Sequence, residues 1–389
     1  MRFFVCLFII FLFLAWSCQP EANSAGDKGL AEGALPPVAE DYEEARYKWG
    51  FMDQQGRLAI EPRFDEVRAF SQGLAVVRLG GLWGYVDKRG KLAVAARFRG
   101  AWSFSEGLAR VMRPDGKMGY INRKGKLAIP ARFEEAEDFA EGLARVKENG
   151  LYGYIDTSGE YVVDPRYPSA SSAFERGYAR VQGPNGKYGL IATDGREVIA
   201  PDYDRIDPFR EGLARVKQDG RYGFVDQAGE PVIPATLERA QEFHFGKAAV
   251  RREGAWGLID RTGSWLQEPA YDQIWHAGHD RWGMLKDGQY GLLDGSGRVL
   301  IAPRFQMLYS FAEGRAPYAI DRLWGLVDTS GRVLTPPRFG LAWSFSEGLA
   351  RAATYKGVAF VDSSGEVVIP PRFRDARDFS EGLAPVQEY

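Results

Sequence analysis

Cysteine and histidine are nearly missing from this chain. Its 2 cysteines are Cys6 and Cys18, both near the amino terminus, so the long remainder holds no thiol for a disulfide, a thiolate metal site or a nucleophile. The 3 histidines are His244, His276 and His279; only His276 and His279 converge by spacing, and a zinc site wants roughly three or four protein ligands. No metal and no other cofactor is expected. Charge of one sign is missing too: the formal net charge is -2, with acids and bases interleaved, which leaves no basic stripe for nucleic acid. Catalytic signatures are lacking, with no Gly-x-Ser-x-Gly, phosphate loop or His-Glu-x-x-His. A glycan-acting hydrolase would need only a pair of the 52 acidic residues, but no carboxylate pair stands out from its surroundings. That reading is a distant alternative, and the chain is expected not to be an enzyme.

Long apolar runs are absent but for one. Phe3 to Trp16 is a stretch of fourteen apolar residues, short of the roughly 20 that cross a bilayer as a helix. Following Met1-Arg2 and ending at the small residue Ser17, it reads as an export signal over residues 1–17. Leu14-Ala15-Trp16-Ser17-Cys18 resembles the lipobox of bacterial lipoproteins, which implies that Cys18 becomes a lipidated first residue and that this lipid reaches the membrane. Ala15 and Trp16 depart from the commonest pattern, and a plain secreted or periplasmic protein cut at the same bond is the alternative. Gln19 is not the aspartate that tends to hold such lipoproteins at an inner membrane, so the expected address is the envelope, at an outer membrane or the cell surface. Residues 18–46, with Pro36-Pro37 and an acidic run from Glu40 to Glu44, have little apolar periodicity and are expected to form a flexible tether.

What the sequence has in abundance is a period. Trp83-Gly84-Tyr85-Val86-Asp87-Lys88-Arg89-Gly90 recurs in ten versions, spaced 34 to 36 residues apart. The aromatic-glycine pair appears at Trp49, Trp83, Tyr152, Tyr188, Tyr222, Trp256, Tyr290 and Trp324, with Met118-Gly119 and Val358-Ala359 as weaker copies. Self-similarity at a fixed step of this size marks a repeat architecture. Within a copy, the aromatic strand runs into an Asp-x-x-Gly turn and a second apolar strand, a hairpin whose Asp caps the turn and whose Gly takes positive φ. An Arg-Phe or Arg-Tyr pair follows, then Phe-x-x-Gly as in Phe104 to Gly107, then a third short strand. One unit is too small to bury a core, so neighbours must stack.

Three strands in each unit fall short of a propeller blade, which normally uses about four strands in roughly 40–45 residues. The array also starts on the aromatic strand and ends on the third strand at Val386, with no strand left over to close a ring. The expected fold is therefore all-β: a tandem array of about ten units over residues 47–389, open and solenoid-like or superhelical, with a closed propeller-like ring as the alternative. The repeated residues resemble those of the bacterial WG-repeat family, related to the Lys-Trp-Gly repeats, of which Lys48-Trp49-Gly50 is a direct instance. The resemblance implies an envelope or secreted interaction module.

The expected function is a non-catalytic, lipid-anchored scaffold that binds protein or glycan; an envelope spacer or assembly protein is the alternative. The repeated Trp or Tyr beside Gly is assigned to packing. The candidate ligand positions are those that vary, two residues before the repeated Phe: Arg68, Trp102, Glu137, Ser172, Asp207, Gln241, Gln273, Tyr309, Trp343 and Arg377. Trp275 is read as standing in for the Phe of the seventh unit. Trp102, Trp275, Tyr309 and Trp343 are the candidate ligand-binding residues, with the last two in adjacent units suited to stacking on a sugar or peptide.

Overall fold

The computed structural model describes residues 47–388, inside one unit that runs from Arg46 to Tyr389. The export signal, Cys18 and the tether lie outside the described residues. Among the described residues there is strand and turn but no helix. The strands form ten sheets arranged in a ring, a β-propeller of ten blades. The first blade shows the plan: Glu66–Ser71, Leu74–Leu79, Leu82–Asp87 and Leu92–Phe98 follow one another as an antiparallel meander. The first strand of a blade is only two residues long in most copies, such as Gly100–Ala101 and Glu135–Ala136, and it sits at the crowded centre. The fourth is seven residues long, as in Leu127–Phe133, and runs along the rim. In the fourth blade the first strand shrinks to a bridge between Ala170 and Val181.

The open array is overturned by one sheet. Trp49–Asp53 and Leu58–Phe64, from the start of the ring, share a sheet with Asp375–Ala376 and Leu383–Gln387 from its end. Trp49 lies opposite Gln387 and Asp53 opposite Leu383, with three further pairs between them. The blade is thus offset from the sequence repeat: the last two strands of one unit begin the blade that the next unit completes. Ending on the third strand, which looked like an obstacle to closure, is what allows it.

The local geometry follows the residues. Asp53 Oδ1 accepts from the Gln55 and Arg57 amides, and the Gly56 amide donates to the Asp53 carbonyl at 2.9 Å, which closes the Asp-x-x-Gly turn as expected. The glycine after each aromatic has a different role. A Cβ placed on Gly189 would lie 2.3 Å from the Ile199 carbonyl oxygen of the rim strand, so only glycine lets the two backbones meet there.

The core lies between blades. Trp49, Phe51, Ile60 and Phe64 of the split blade pack with Val67, Phe70, Ala75 and Val77 of the next. Ring pairs repeat at the seams: Tyr85 with Phe104 at 5.0 Å, Tyr120 with Phe139 at 4.9 Å and, across the closing seam, Phe51 with Phe70 at 4.9 Å. Such pairs add about 0.5–1.5 kcal/mol to the burial of their rings. A chain of turn hydrogen bonds joins the blades as well. The Gly142 amide donates to Glu106 Oε2 at 2.9 Å, the Gly382 amide to Glu347 Oε2 at 2.9 Å, and the Gly73 amide to Glu381 Oε2 at 2.9 Å, so at these seams a turn glutamate holds the turn of the following blade; at the seam of the first and second blades Gln72 does so, accepting from the Gly107 amide at 2.9 Å.

Gly189→Ala is expected to destabilise the protein by about 1–3 kcal/mol, the usual effect of forcing atoms into a packed site, read as a lower urea midpoint. Ending the chain after Ser380 removes the partner of Trp49–Asp53 and should abolish the single cooperative unfolding transition seen by circular dichroism. An unchanged transition would mean that the split blade does not close the ring.

Candidate functional site

The residue after each short inner strand occupies an equivalent place in every blade. Its amide donates to the second strand of its own blade: Trp102 to the Arg110 carbonyl at 3.2 Å, Glu137 to Arg145 at 2.9 Å, Asp207 to Arg215 at 3.0 Å, Tyr309 to Pro317 at 2.9 Å and Arg377 to Pro385 at 2.9 Å. In the fourth blade the residue so held is Ser171, whose amide donates to the Arg180 carbonyl at 2.8 Å, and not Ser172. In the seventh blade it is Trp275, opposite Gly283, and not Gln273. Trp275 therefore does not replace the repeated Phe; buried Ala277 stands in that place. The ring of inner positions reads Arg68, Trp102, Glu137, Ser171, Asp207, Gln241, Trp275, Tyr309, Trp343, Arg377. Tyrosines of the preceding blade fix part of it from behind, with Tyr85 donating to the Trp102 carbonyl at 2.8 Å and Tyr154 to that of Ser171 at 2.7 Å. Burial pushes the Tyr154 hydroxyl up to about 12.

Arginines of the second strands cross the seams at this level. Arg110, Arg145, Arg215 and Arg351 donate to the inner-strand carbonyls of the next blade, at Ala136, Ala170, Ala240 and Ala376, over 2.5 to 2.8 Å. Carboxylates match them. Glu137 pairs with Arg110 at 2.5 Å and Arg145 at 3.1 Å. Asp207, only 4% exposed, takes Arg180, Arg205 and Arg215 at 3.1, 3.1 and 2.7 Å. Arg351 pairs with Asp378 at 2.6 Å. Glu137 and Asp207 are thus saturated, and a carboxylate held by several guanidinium donors is a structural clamp.

The other side is aromatic. Trp275, Tyr309 and Trp343 stand on three consecutive blades, and Trp102 is separated from them only by the blades carrying Arg377 and Arg68. Trp343 is half-buried under Arg351, whose Cζ is 4.5 Å from its ring centre. Trp102 is held the same way by Arg110 at 4.6 Å. Tyr309 is 36% exposed and tilts against Trp324 at 4.8 Å. Trp275 meets Tyr290 edge-on at 5.7 Å and covers Gly283, where a Cβ would sit 2.1 Å from its ring. Gly283 occupies the place of the seam arginines, so the glycine makes room for the indole. Of the aromatics in the glycine pairs, Trp49 and Trp324 are buried, each 8% exposed, and the others are half-buried.

The histidines gather at the seam of the sixth and seventh blades. His244 and His276 stack with ring centres 3.9 Å apart, and His276 meets Trp282 edge-on at 5.4 Å. Here sizes are exchanged: Ala277 takes the place of the repeated Phe, and Trp282 that of the alanine found in other second strands. The swap keeps the volume but strands two polar atoms, His276 Nε2 and Trp282 Nε1, which are buried with no hydrogen-bond partner among the described residues. Phe245 stands at the turn position that glutamate holds in most blades, and Lys247 pairs with Asp280 across this seam at 2.9 Å. Three or more metal-binding side chains do not come together anywhere among the described residues.

Burial, helped by the charge of His276 and Arg210, lowers His244 to about 4, and burial lowers His276. Both favour the neutral form in the folded state, below an unfolded value near 6.5. Their contribution is complete above that value and is lost as pH falls toward about 4. Burial opposes the ionisation of Asp294, but Ser296 and the turn amides hold it down at about 2, so the turns give way only below the ordinary aspartate value of 3.8. The urea midpoint should therefore fall between pH 6.5 and 4, and the double variant His244→Asn, His276→Gln should flatten that window while leaving the steeper loss at lower pH. An unaltered profile would contradict this assignment.

The solved structures that this ring is similar to share little sequence with it. A eukaryotic initiation factor is 10% identical over 74% of this chain and 94% of its own, with a TM-score of 0.46. BamB from Moraxella catarrhalis is 12% identical over 84% of this chain and 99% of its own, with a TM-score of 0.34. The dihydro-haem d1 dehydrogenase NirN is 13% identical over 87% of this chain and 78% of its own, with a TM-score of 0.36. Among curated proteins nothing matches. The sequence family described as WG containing repeat matches ten segments, from 49–83 to 359–389, that follow the aromatic-glycine copies around the ring. The chain belongs to the WG containing repeat family.

Proposed function

We propose that this propeller is a non-catalytic scaffold that binds a glycan or protein through the aromatic side of its inner ring. The observation that carries the reading is the division of the ten equivalent positions. Glu137 and Asp207 are consumed by inter-blade ion pairs, whereas Trp275, Tyr309 and Trp343 follow one another without serving a seam in that way. Aromatic side chains in succession give stacking area with little conformational entropy to lose. The non-catalytic reading is supported by the same division, because the inner carboxylates Glu137 and Asp207 are each held by two or more arginines.

The proposal includes an address. The resemblance of Leu14 to Cys18 to a lipobox supports export, a lipid on Cys18 and display at an outer membrane or cell surface, with the ring held off the membrane by residues 18–46. A spacer or assembly role in the envelope is the second reading, and a ring whose inner positions bind nothing would favour it.

On a glycan array, Tyr309→Ala and Trp343→Ala should each weaken binding about tenfold, the loss of roughly 1.4 kcal/mol expected for one stacking contact. Tyr309→Ala should leave the thermal midpoint within about 2 °C of the parent. Loss of stability in step with loss of binding would return Tyr309 to a packing role. Cys18→Ser should move the protein from the membrane to the soluble fraction of its native host; a fraction that stays membrane-bound would remove the lipid from the account.

A further inference from the structure

Two neighbouring blades differ from the rest in the charge of the turn between their third and fourth strands. In the first blade this turn and the residue after it hold Lys88, Arg89 and Lys91, and in the second Arg123, Lys124 and Lys126, all exposed. Each of the other eight equivalent stretches has one base at most. Among those, Arg57, Arg298 and Arg332 fold back onto the aspartate of their own turn, at 2.8, 3.1 and 3.1 Å. Of the six bases in the two blades only Lys88 has an ion pair among the described residues, with Glu381 at 3.3 Å. Contacts between the blades bring the two turns together. Gly125 packs on the rim strand of the first blade three residues beyond Lys91, where an added Cβ would lie 2.9 Å from Val94, and Arg97 of that strand donates to the Gly125 carbonyl at 2.6 Å. Arg123 reaches back over the first blade, to 3.1 Å from a Cβ placed on Gly73.

The same two blades lack acids that the repeat supplies elsewhere, yet keep the hydrogen bonds those acids make. Asn122 stands where eight of the turns have aspartate, and its Oδ1 accepts from the Lys124 and Lys126 amides at 3.0 and 3.2 Å. Gln72 stands where most blades have glutamate, and its Oε1 accepts from the Gly107 amide at 2.9 Å. An amide oxygen accepts as a carboxylate does but brings no charge. The rim strands of these blades, Leu92–Phe98 and Leu127–Phe133, hold Arg97 and Arg132 and no acid, whereas the rim strands on either side hold Glu61 and Asp164. Asp87 accepts from the Arg89 and Lys91 amides of its own turn at 2.9 Å, and Glu106 from the Gly142 amide of the third blade at 2.9 Å. With Glu381 these two set three carboxylates against eight bases, counting Arg97 and Arg132. Apolar surface borders the charge: Leu92 and Leu127, 41% and 49% exposed, directly follow Lys91 and Lys126. Beside the first turn an open cleft of about 720 Å³ is lined by Arg63, Leu79, Arg89, Gly90, Lys91 and Leu92.

We propose that this basic arc of the first two blades docks on the anionic headgroups of a lipid bilayer, with Leu92 and Leu127 entering the boundary between headgroups and acyl chains. Charge complementarity calls for an anion, and the leucines beside the bases say which kind. Residues 87–97 and 122–132 hold no aromatic side chain on which a nucleic acid base could stack, and a soluble polyanion has no use for exposed leucine. A bilayer surface offers both negative charge and an apolar layer just beneath it. The arc is separate from the aromatic positions of the inner ring and needs neither their ligand nor a lipid on Cys18.

The test is flotation of the whole chain, carrying Cys18→Ser so that no acyl chain anchors it, with vesicles of phosphatidylcholine alone or mixed with phosphatidylglycerol. The mixed vesicles should be bound at least about tenfold more tightly than the neutral ones, because each base near an anionic surface strengthens binding about fivefold, and the advantage should shrink as salt rises. Lys91→Gln with Lys126→Gln should lower the affinity for mixed vesicles by at least about tenfold and leave the thermal midpoint within about 2 °C of the parent. Arg298→Gln with Arg332→Gln makes the same change of charge on the turns of the seventh and eighth blades and should keep the preference intact. Leu92→Ser with Leu127→Ser should weaken binding to mixed vesicles at least about threefold while its salt dependence stays the same. Equal binding of the two kinds of vesicle by the parent, a preference that survives Lys91→Gln with Lys126→Gln, or an equal loss in the Arg298 and Arg332 control would overturn the arc. Polyphosphate or duplex DNA bound as tightly as the mixed vesicles, or serine at both leucine positions without effect, would overturn the bilayer as its partner.

Discussion

Five residue pairs between the two ends of the ring hold the rest in place: Trp49 against Gln387, through to Asp53 against Leu383. Most seams are similar in kind, with a ring pair, a turn hydrogen bond from the preceding blade and in several cases an arginine reaching across. Cutting the chain inside a blade, and not between blades, means that the last seam is covalently supported on both sides. Losing the last strand would leave Trp49–Asp53 with an unpaired edge and the first blade without the turn of Glu381 that holds Gly73. An open stack would have two exposed ends to cap; the ring has none.

Closure also explains where variation is tolerated. Positions on the second and third strands face a neighbouring blade and are fixed by packing, and the aromatic-glycine pair is fixed by the approach of the rim strand. The residue after the inner strand has its backbone held by the second strand, so its side chain is free to differ. One arc of four blades uses that freedom for clamps built on Glu137 and Asp207. The arc of the other six carries Trp275, Tyr309, Trp343 and Trp102, so the two kinds of position do not alternate.

Much of the fold was legible in the sequence because it is repeated ten times. The period, the Asp-x-x-Gly turn and the glycine beside the ring all follow from local rules of turn geometry and close packing. The closed ring stood only as the alternative to an open array, because its two deciding features leave faint marks. A two-residue strand such as Gly100–Ala101 has no periodicity to read, and the boundary of a blade is a matter of pairing between distant residues. The candidate site was half legible. Trp102, Tyr309 and Trp343 were found by asking which positions vary. Ser171 was missed because the count was made back from Phe174, and the fourth blade has one residue more between its inner bridge and that Phe; Trp275 was taken for the repeated Phe because Gly278 stands three residues after it, whereas Asp280 is where the turn glycine belongs. The exchange of Phe and Ala for Ala277 and Trp282 was the signal that could have corrected it.

The claim that joins these parts is that inner positions on one arc hold the ring together and those on the other arc are free to bind. Its most direct measurement is alanine substitution at each of the ten inner positions, with the thermal midpoint and the retention of a bound glycan measured on the same samples. The account predicts two separate groups: Glu137 and Asp207 lose stability and keep binding, while Trp102, Trp275, Tyr309 and Trp343 lose binding with smaller changes in stability. A single group, in which binding falls only as stability falls, would contradict it.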